Sequence, residues 1–169
     1  MARVAERARI ALDEERFGGR VGRGSAAGHE VCLLLPGTWM NDSGTAVAAA
    51  LRGLAIEDPA DLLVVLDDVD LPLGRLRLRA RGSDGGHRGL ADVLERLGRE
   101  DVPRLRFGVG RPDQPRDTSE WVLERFRPEE RAAVEEAVER AAAAVECVVA
   151  EGVAAAMNRF NASPPDPAP

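Results

Sequence analysis

The chain is short of several residue types that would otherwise fix its class. It has two cysteines in 169 residues, Cys32 inside the apolar run VCLLL and Cys147 inside an alanine-rich helical pattern. Isolated thiols in such settings read as small core hydrophobes, which argues against a disulfide framework or a metal site. Histidine is as scarce, with only His29 and His87, and lysine is absent, so all 23 basic residues are arginine. The longest apolar runs, such as LLVVL at 62–66, fall far short of the ~20 residues of a membrane span. With no signal-peptide pattern and no internal repeat, the expectation is a cytoplasmic protein that meets no membrane. A chain of this length fits one domain burying roughly two-thirds of its unfolded surface.

What charge there is lies unevenly. The net charge of −6 argues against indiscriminate nucleic-acid binding. Residues 75–88, however, carry Arg75, Arg77, Arg79, Arg81 and Arg88 against Asp84, a net of +4. Residues 129–151 carry seven glutamates against Arg131 and Arg140, a net of −5. The pattern predicts one face for an anionic partner and one solvated face.

Periodicity predicts an uncapped helix over 4–12, strands over 16–24 and 30–36 joined by a turn at 25–29, and a helix ending near Gly53. Asn41, Asp42 and Ser43 offer N-cap oxygens to that second helix. DLLVVLDDVD, 61–70, is a continuous apolar strand ending in acid, as in a sheet covered on both faces, and the carboxyl ends of such strands are where ligands bind. RLRLRAR, 75–81, alternates strictly, with leucines on one face and arginines on the other. A glycine loop, a helix over 88–98, a strand over 104–110 and a polar loop through Pro112 and Pro115 follow. Pro128 then opens a helix to about Ala150, with Glu129 and Glu130 in its first turn. The proline-rich tail, 162–169, is expected to be disordered.

Three stretches bear on chemistry. PGTWMNDSG, 36–44, is a packed corner with a helix cap or a site carrying Trp39, Met40 and Asn41. DDVDLPLG, 67–74, crowds three carboxylates at a strand end, which marks either a solvated turn or a place where a cation or histidine is positioned. GSDGGHRG, 82–89, leaves room for backbone N–H groups to meet an anion at a helix start, although turn formation explains most such loops.

In this order, followed by LRFGVGRP (105–112), WVLERFRPEE (121–130) and AAAMNRFN (154–161), these stretches resemble the bacterial peptidyl-tRNA hydrolase family from about Val4 to Asn161. The resemblance implies a single α/β domain over 1–161 with a twisted mixed sheet flanked by helices. It implies hydrolysis of the ester joining a peptide to the terminal ribose of tRNA, without metal or organic cofactor and without a protein partner. In that family a histidine acts as general base on water and an aspartate orients it. By resemblance Asp67 matches that aspartate and Asn41 the substrate-holding asparagine. Trp39 matches an aromatic at the tRNA-end site, and Met40 lines the same cleft. His87 matches a second histidine that contacts substrate and shapes the pocket, and it is not the base.

Two departures stand out. Arg88 replaces the asparagine usual after that histidine; it can meet a phosphate or ribose but lacks an amide's paired donor and acceptor. The strand, N-P-G turn and R-H-N segment that carry the family's base have no counterpart, and the expectation is an amino-terminally shortened hydrolase with little or no activity in the chain as it stands. The alternatives are a non-catalytic tRNA- or RNA-binding relative and an inactive fragment.

Overall fold

The computed structural model describes residues 1–112, 114 and 117–162. Its α/β architecture places six strands in two three-stranded sheets. Helix α1 (Ala2–Ala8) ends where Arg9 adopts a left-handed conformation, φ 54°, short of the expected Leu12. Strands β1 (Glu14–Arg16), β2 (Gly19–Ala26) and β3 (His29–Pro36) form an antiparallel sheet in the order β1-β2-β3. The strand expected over 16–24 is thus the second arm of a hairpin. Phe17 and Gly18, at φ 56° and 74°, make its two-residue turn, and the Phe17 ring lies against Gly53, leaving no space for a side chain there. An aromatic at positive φ hid this turn from periodicity, because glycine or asparagine is the usual signal.

After the 3₁₀ turn Met40–Asp42 come α2 (Ser43–Leu54) and the second sheet, built from β4 (Val64–Asp68), β5 (Leu76–Arg79) and β6 (Arg104–Gly108) in the order β4-β6-β5. β4 runs parallel to β6 and β5 antiparallel to it. Helix α3 (Arg88–Leu97) lies between β5 and β6 in sequence, and α4 (Thr118–Trp121) and α5 (Arg131–Phe160) are the last helices among the described residues. The expected loop through Pro112 and Pro115 contains the unforeseen α4, while Pro115 lies outside the described residues. So does the expected disordered tail, apart from Ala162.

The second sheet sorts its side chains by strand alternation. Leu76, Leu78, Leu105 and Phe107 point to one face and join the core beneath α5 with Ala142, Ala144 and Val145. Val64 and Leu66 point to the other and pack with Leu90 and Leu94 of α3. α5 passes the expected end at Ala150 and reaches Phe160, bending at Gly152, φ 84° and ψ 167°. It is long and apolar enough, by composition, to cross a membrane; here it lies on β5 and is tied to α1 by Arg3 and Arg7 through Glu139 and Glu146. Past its end, the Asn161 amide pairs with both backbone groups of Leu78, accepting from N at 2.7 Å and donating to O at 3.0 Å. That edge pairing explains the last asparagine of AAAMNRFN, Asn161. Cys147 is buried and Cys32 half-buried, both as free thiols.

Candidate active site

β4 is an apolar strand that turns acidic as it leaves the sheet, and alternation sends its last two residues in opposite directions. Asp67, with a side chain 34 % exposed, faces the His87 ring, 15 % exposed, at 3.3 Å from Oδ1 to Nε2. His87 is also the N-cap of α3, its Nδ1 accepting the Leu90 N–H at 3.1 Å. An acceptor at Nδ1 places the ring hydrogen of the neutral form on Nε2, directed at Asp67. Both nitrogens are therefore engaged in the structure's arrangement. The hydrogen bond from His87, outweighing partial burial, holds the Asp67 carboxyl below the ordinary carboxylate pKa.

The turn bearing the other site candidates adjoins this pair. A methyl group on Gly89 would come within 2.5 Å of Met40 Sδ and 3.2 Å of His87 Cε1, so only glycine lets the two approach so closely. Trp39 is 85 % exposed and Met40 55 % exposed, and Asn41 is exposed beside them. An open tryptophan and methionine next to a histidine–carboxylate pair form a surface able to stack a base and bury a sugar face. Arg88 is exposed in the first turn of α3. Its charge helps keep the Asp117 pKa low, although the Ser119 hydrogen bonds contribute more.

Asp68 turns to the opposite face, where it forms a buried ion pair with Arg106 at 3.0 Å; the two side chains are 9 % and 11 % exposed. Arg106 also donates to the Asp84 carbonyl at 2.6 Å. Arg104, 1 % exposed, donates to the carbonyls of Gly82 at 2.7 Å and Ser83 at 3.1 Å. Three consecutive carbonyls of the glycine loop thus close on two guanidinium groups, and Gly85 sits so close to Arg106 that a side chain would meet its planar head at 2.8 Å. The loop N–H groups differ from expectation too: that of Gly86 bonds to Asp84 Oδ1 at 2.7 Å. The loop is fixed from both faces, by Asp67 through His87 and by Asp68 through Arg106.

Beside it opens a cavity of about 410 Å³, lined by Arg77, Arg79, Arg81, Arg104 and Arg106 and by Asp68 and Asp70. Arg77 stands directly opposite Arg106 across the ladder, and Arg79 opposite Arg104. Like charges paired in this way destabilise a sheet unless an anion joins them. Asp70 binds Arg111 at the rim. The sequence reading found the exposed arginines of β5 but missed Arg104 and Arg106, because RLRFG reads as an ordinary short strand until its register with β5 is known. His29 lies at the start of β3, and the Met40 turn follows that strand's other end; its eight residues separate the two by about 23 Å at ~3.3 Å per residue.

A sequence profile described as peptidyl-tRNA hydrolase matches residues 1–167. A peptidyl-tRNA hydrolase of Synechococcus sp. (strain JA-3-3Ab) is 53% identical over 159 residues, 94% of this chain and 70% of that protein. One from Roseiflexus sp. (strain RS-1) is 46% identical over 167 residues, 99% of this chain and 77% of the relative. The crystal structure of peptidyl-tRNA hydrolase from Acinetobacter baumannii superimposes with a TM-score of 0.88 at 34% identity, covering 97% of this chain and 83% of the other. With the profile spanning nearly every residue and the solved fold matching at that level, the chain belongs to the peptidyl-tRNA hydrolase family.

Proposed function

We propose that residues 1–161 act as one unit that hydrolyses the ester between a peptide and the terminal ribose of tRNA, in the cytoplasm, releasing tRNA for reuse in translation. The observation that carries the reading is the Asp67–His87 pair at the end of β4, with the Met40 turn on one side and a five-arginine cavity on the other. Asp68 answers only Arg106, and phosphates of an RNA backbone supply further anions for the arginine face, Arg77 and Arg79 first. Trp39 and Met40 hold the terminal nucleoside, and the Asn41 amide offers a donor and an acceptor to the ester region. Arg88 meets a phosphate or ribose at the mouth of the cleft. By resemblance Asp67 steadies the imidazolium of a general-base histidine that takes the proton from water and returns it to the leaving ribose oxygen. Neither His87 nor His29 stands in that position, so turnover by the chain as it stands is expected to be low. Water adds to the ester carbonyl, the tetrahedral adduct collapses, and the ribose oxygen leaves with a proton.

His87 is assigned to substrate contact and pocket shape. With Nδ1 bound to the Leu90 N–H and Nε2 directed at Asp67, it presents no free lone pair to water. The same observation favours a second reading, tRNA binding without turnover. One experiment separates them: N-acetylaminoacyl-tRNA is incubated with the protein, ester cleavage is followed, and binding of deacylated tRNA is measured in parallel. Cleavage supports the hydrolase, binding without cleavage supports the second reading, and neither result leaves tRNA as the partner if both are absent.

A further inference from the structure

The turn that carries Trp39, Met40 and Asn41 contains no buried residue, and Trp39 before it is open to solvent. Apolar packing therefore does little to fix it. α2, which follows directly, has no side-chain cap of its own, contrary to the expectation that Asn41, Asp42 or Ser43 would serve. Its first free N–H, that of Gly44, donates instead to Asp92 Oδ2 on α3 at 2.6 Å. The helices touch here: a side chain on Gly44 would lie 2.5 Å from the Asp92 carbonyl. Arg96, one turn further along α3, donates from Nε to Asp92 Oδ1 at 3.1 Å. Its Nη2 reaches Asp42 Oδ1 at 2.7 Å, an oxygen that also accepts from Thr45 Oγ1 at 2.5 Å. Asp42 is the residue after Asn41. The Ser43 hydroxyl closes the turn on the Met40 carbonyl at 2.8 Å.

α3 begins at His87 and holds the Asn41 turn through Asp92, so one rigid helix sets the separation between the two halves of the cleft. We propose that Asp92, capping α2 from a neighbouring helix and linked through Arg96 to Asp42, is a positioning residue that fixes the Met40–Asn41 turn against His87 for substrate engagement. The role rests on the hydrolase reading, and it predicts a loss in binding rather than in the chemical step.

The test uses the full chain with Trp121→Phe, so that emission comes from Trp39 alone. Asp92→Ala is expected to raise KM for N-acetylaminoacyl-tRNA about tenfold with kcat changed less, since misplacing a binding group by about 1 Å can cost as much as 10²-fold. It should also lower Trp39 fluorescence anisotropy while the urea midpoint shows a folded protein. Asp92→Asn should recover part of both, because its amide oxygen still accepts the Gly44 N–H. Unchanged KM and anisotropy in folded Asp92→Ala overturn the proposal. If that variant does not fold, Arg96→Met, which spares the Gly44 bond, decides by the same readouts: raised KM and lowered anisotropy support it, unchanged values overturn it. Absence of turnover in the unsubstituted protein defeats the hydrolase reading, and Trp39 anisotropy then decides the positioning.

Discussion

The two faces of the mixed sheet receive neighbouring residues of one type and put them to opposite uses. Asp67 emerges into an open cleft, where its partner is a histidine and a third of its side chain meets water. Asp68 enters the interior, where Arg106 neutralises it and passes its remaining hydrogen bond to the glycine loop. A carboxylate in the first setting can change its interactions during a reaction at little cost to the fold. In the second, the charge is committed, because a buried ion left unpaired is strongly destabilising. Stability and chemistry are thereby separated by one step of a β-strand, while both settings hold the same loop.

The largest expected effect breaks the interior setting. Asp68→Ala strands Arg106 and should lower the unfolding free energy by about 3–5 kcal/mol, whereas Asp67→Ala should cost far less; urea unfolding of the two variants measures the difference. Equal losses would dissolve the distinction between the faces. A second effect sharpens the cleft side. Asn41→Ala should weaken substrate binding by about tenfold, near 1.4 kcal/mol, and lower turnover with it, as read from Kd and kcat on N-acetylaminoacyl-tRNA. A smaller effect probes the arginine face: log Kd for tRNA should vary steeply with log salt, and Arg77→Gln or Arg79→Gln should each reduce the slope by about one. A slope unchanged by both substitutions would place the RNA elsewhere.

The smallest effect is on pH. The His87 hydrogen bond lowers the Asp67 pKa, so the folded protein binds fewer protons there than the unfolded chain. That contribution is present above the ordinary carboxylate pKa and is lost as pH falls through the lowered one. Urea midpoints from roughly pH 5 to pH 3 should therefore fall less steeply in Asp67→Asn than in the unsubstituted protein.

Residues whose role follows from local pattern were legible in the sequence. Leu76 and Leu78 against Arg77 and Arg79, an apolar β4 ending in acid, and the helix after the glycine loop all follow from period and punctuation. The expected cover on both faces of β4 does not hold, since it is an edge strand with Val65 36 % exposed. The resemblance supplied Asp67, His87 and Asn41, although it paired Asp67 with a different histidine from the one the structure brings to it. What escaped depends on pairing at a distance. Arg106 becomes an ion-pair partner only once β6 is in register with β4, and α2 is capped from α3 rather than by the three capping residues at its own start. Phe17 turns a hairpin at a dihedral its residue type disfavours, and α5 continues through Gly152, where a glycine in a helical pattern reads as an end.

The most direct test of the account compares Asp67→Asn with Asp68→Asn and Asp70→Asn, since Asp70 pairs with Arg111 at the exposed rim. Turnover of N-acetylaminoacyl-tRNA and affinity for deacylated tRNA are measured on folded preparations of each. The account predicts that Asp67→Asn lowers the turnover the chain shows by about 10²-fold with Kd nearly unchanged, because by resemblance its charge steadies the base as water is deprotonated rather than the bound ground state, while Asp70→Asn leaves kcat close to the unsubstituted value and Asp68→Asn acts through stability. Equal losses of kcat in all three folded variants would contradict it, and would mean that the acids act through their summed charge.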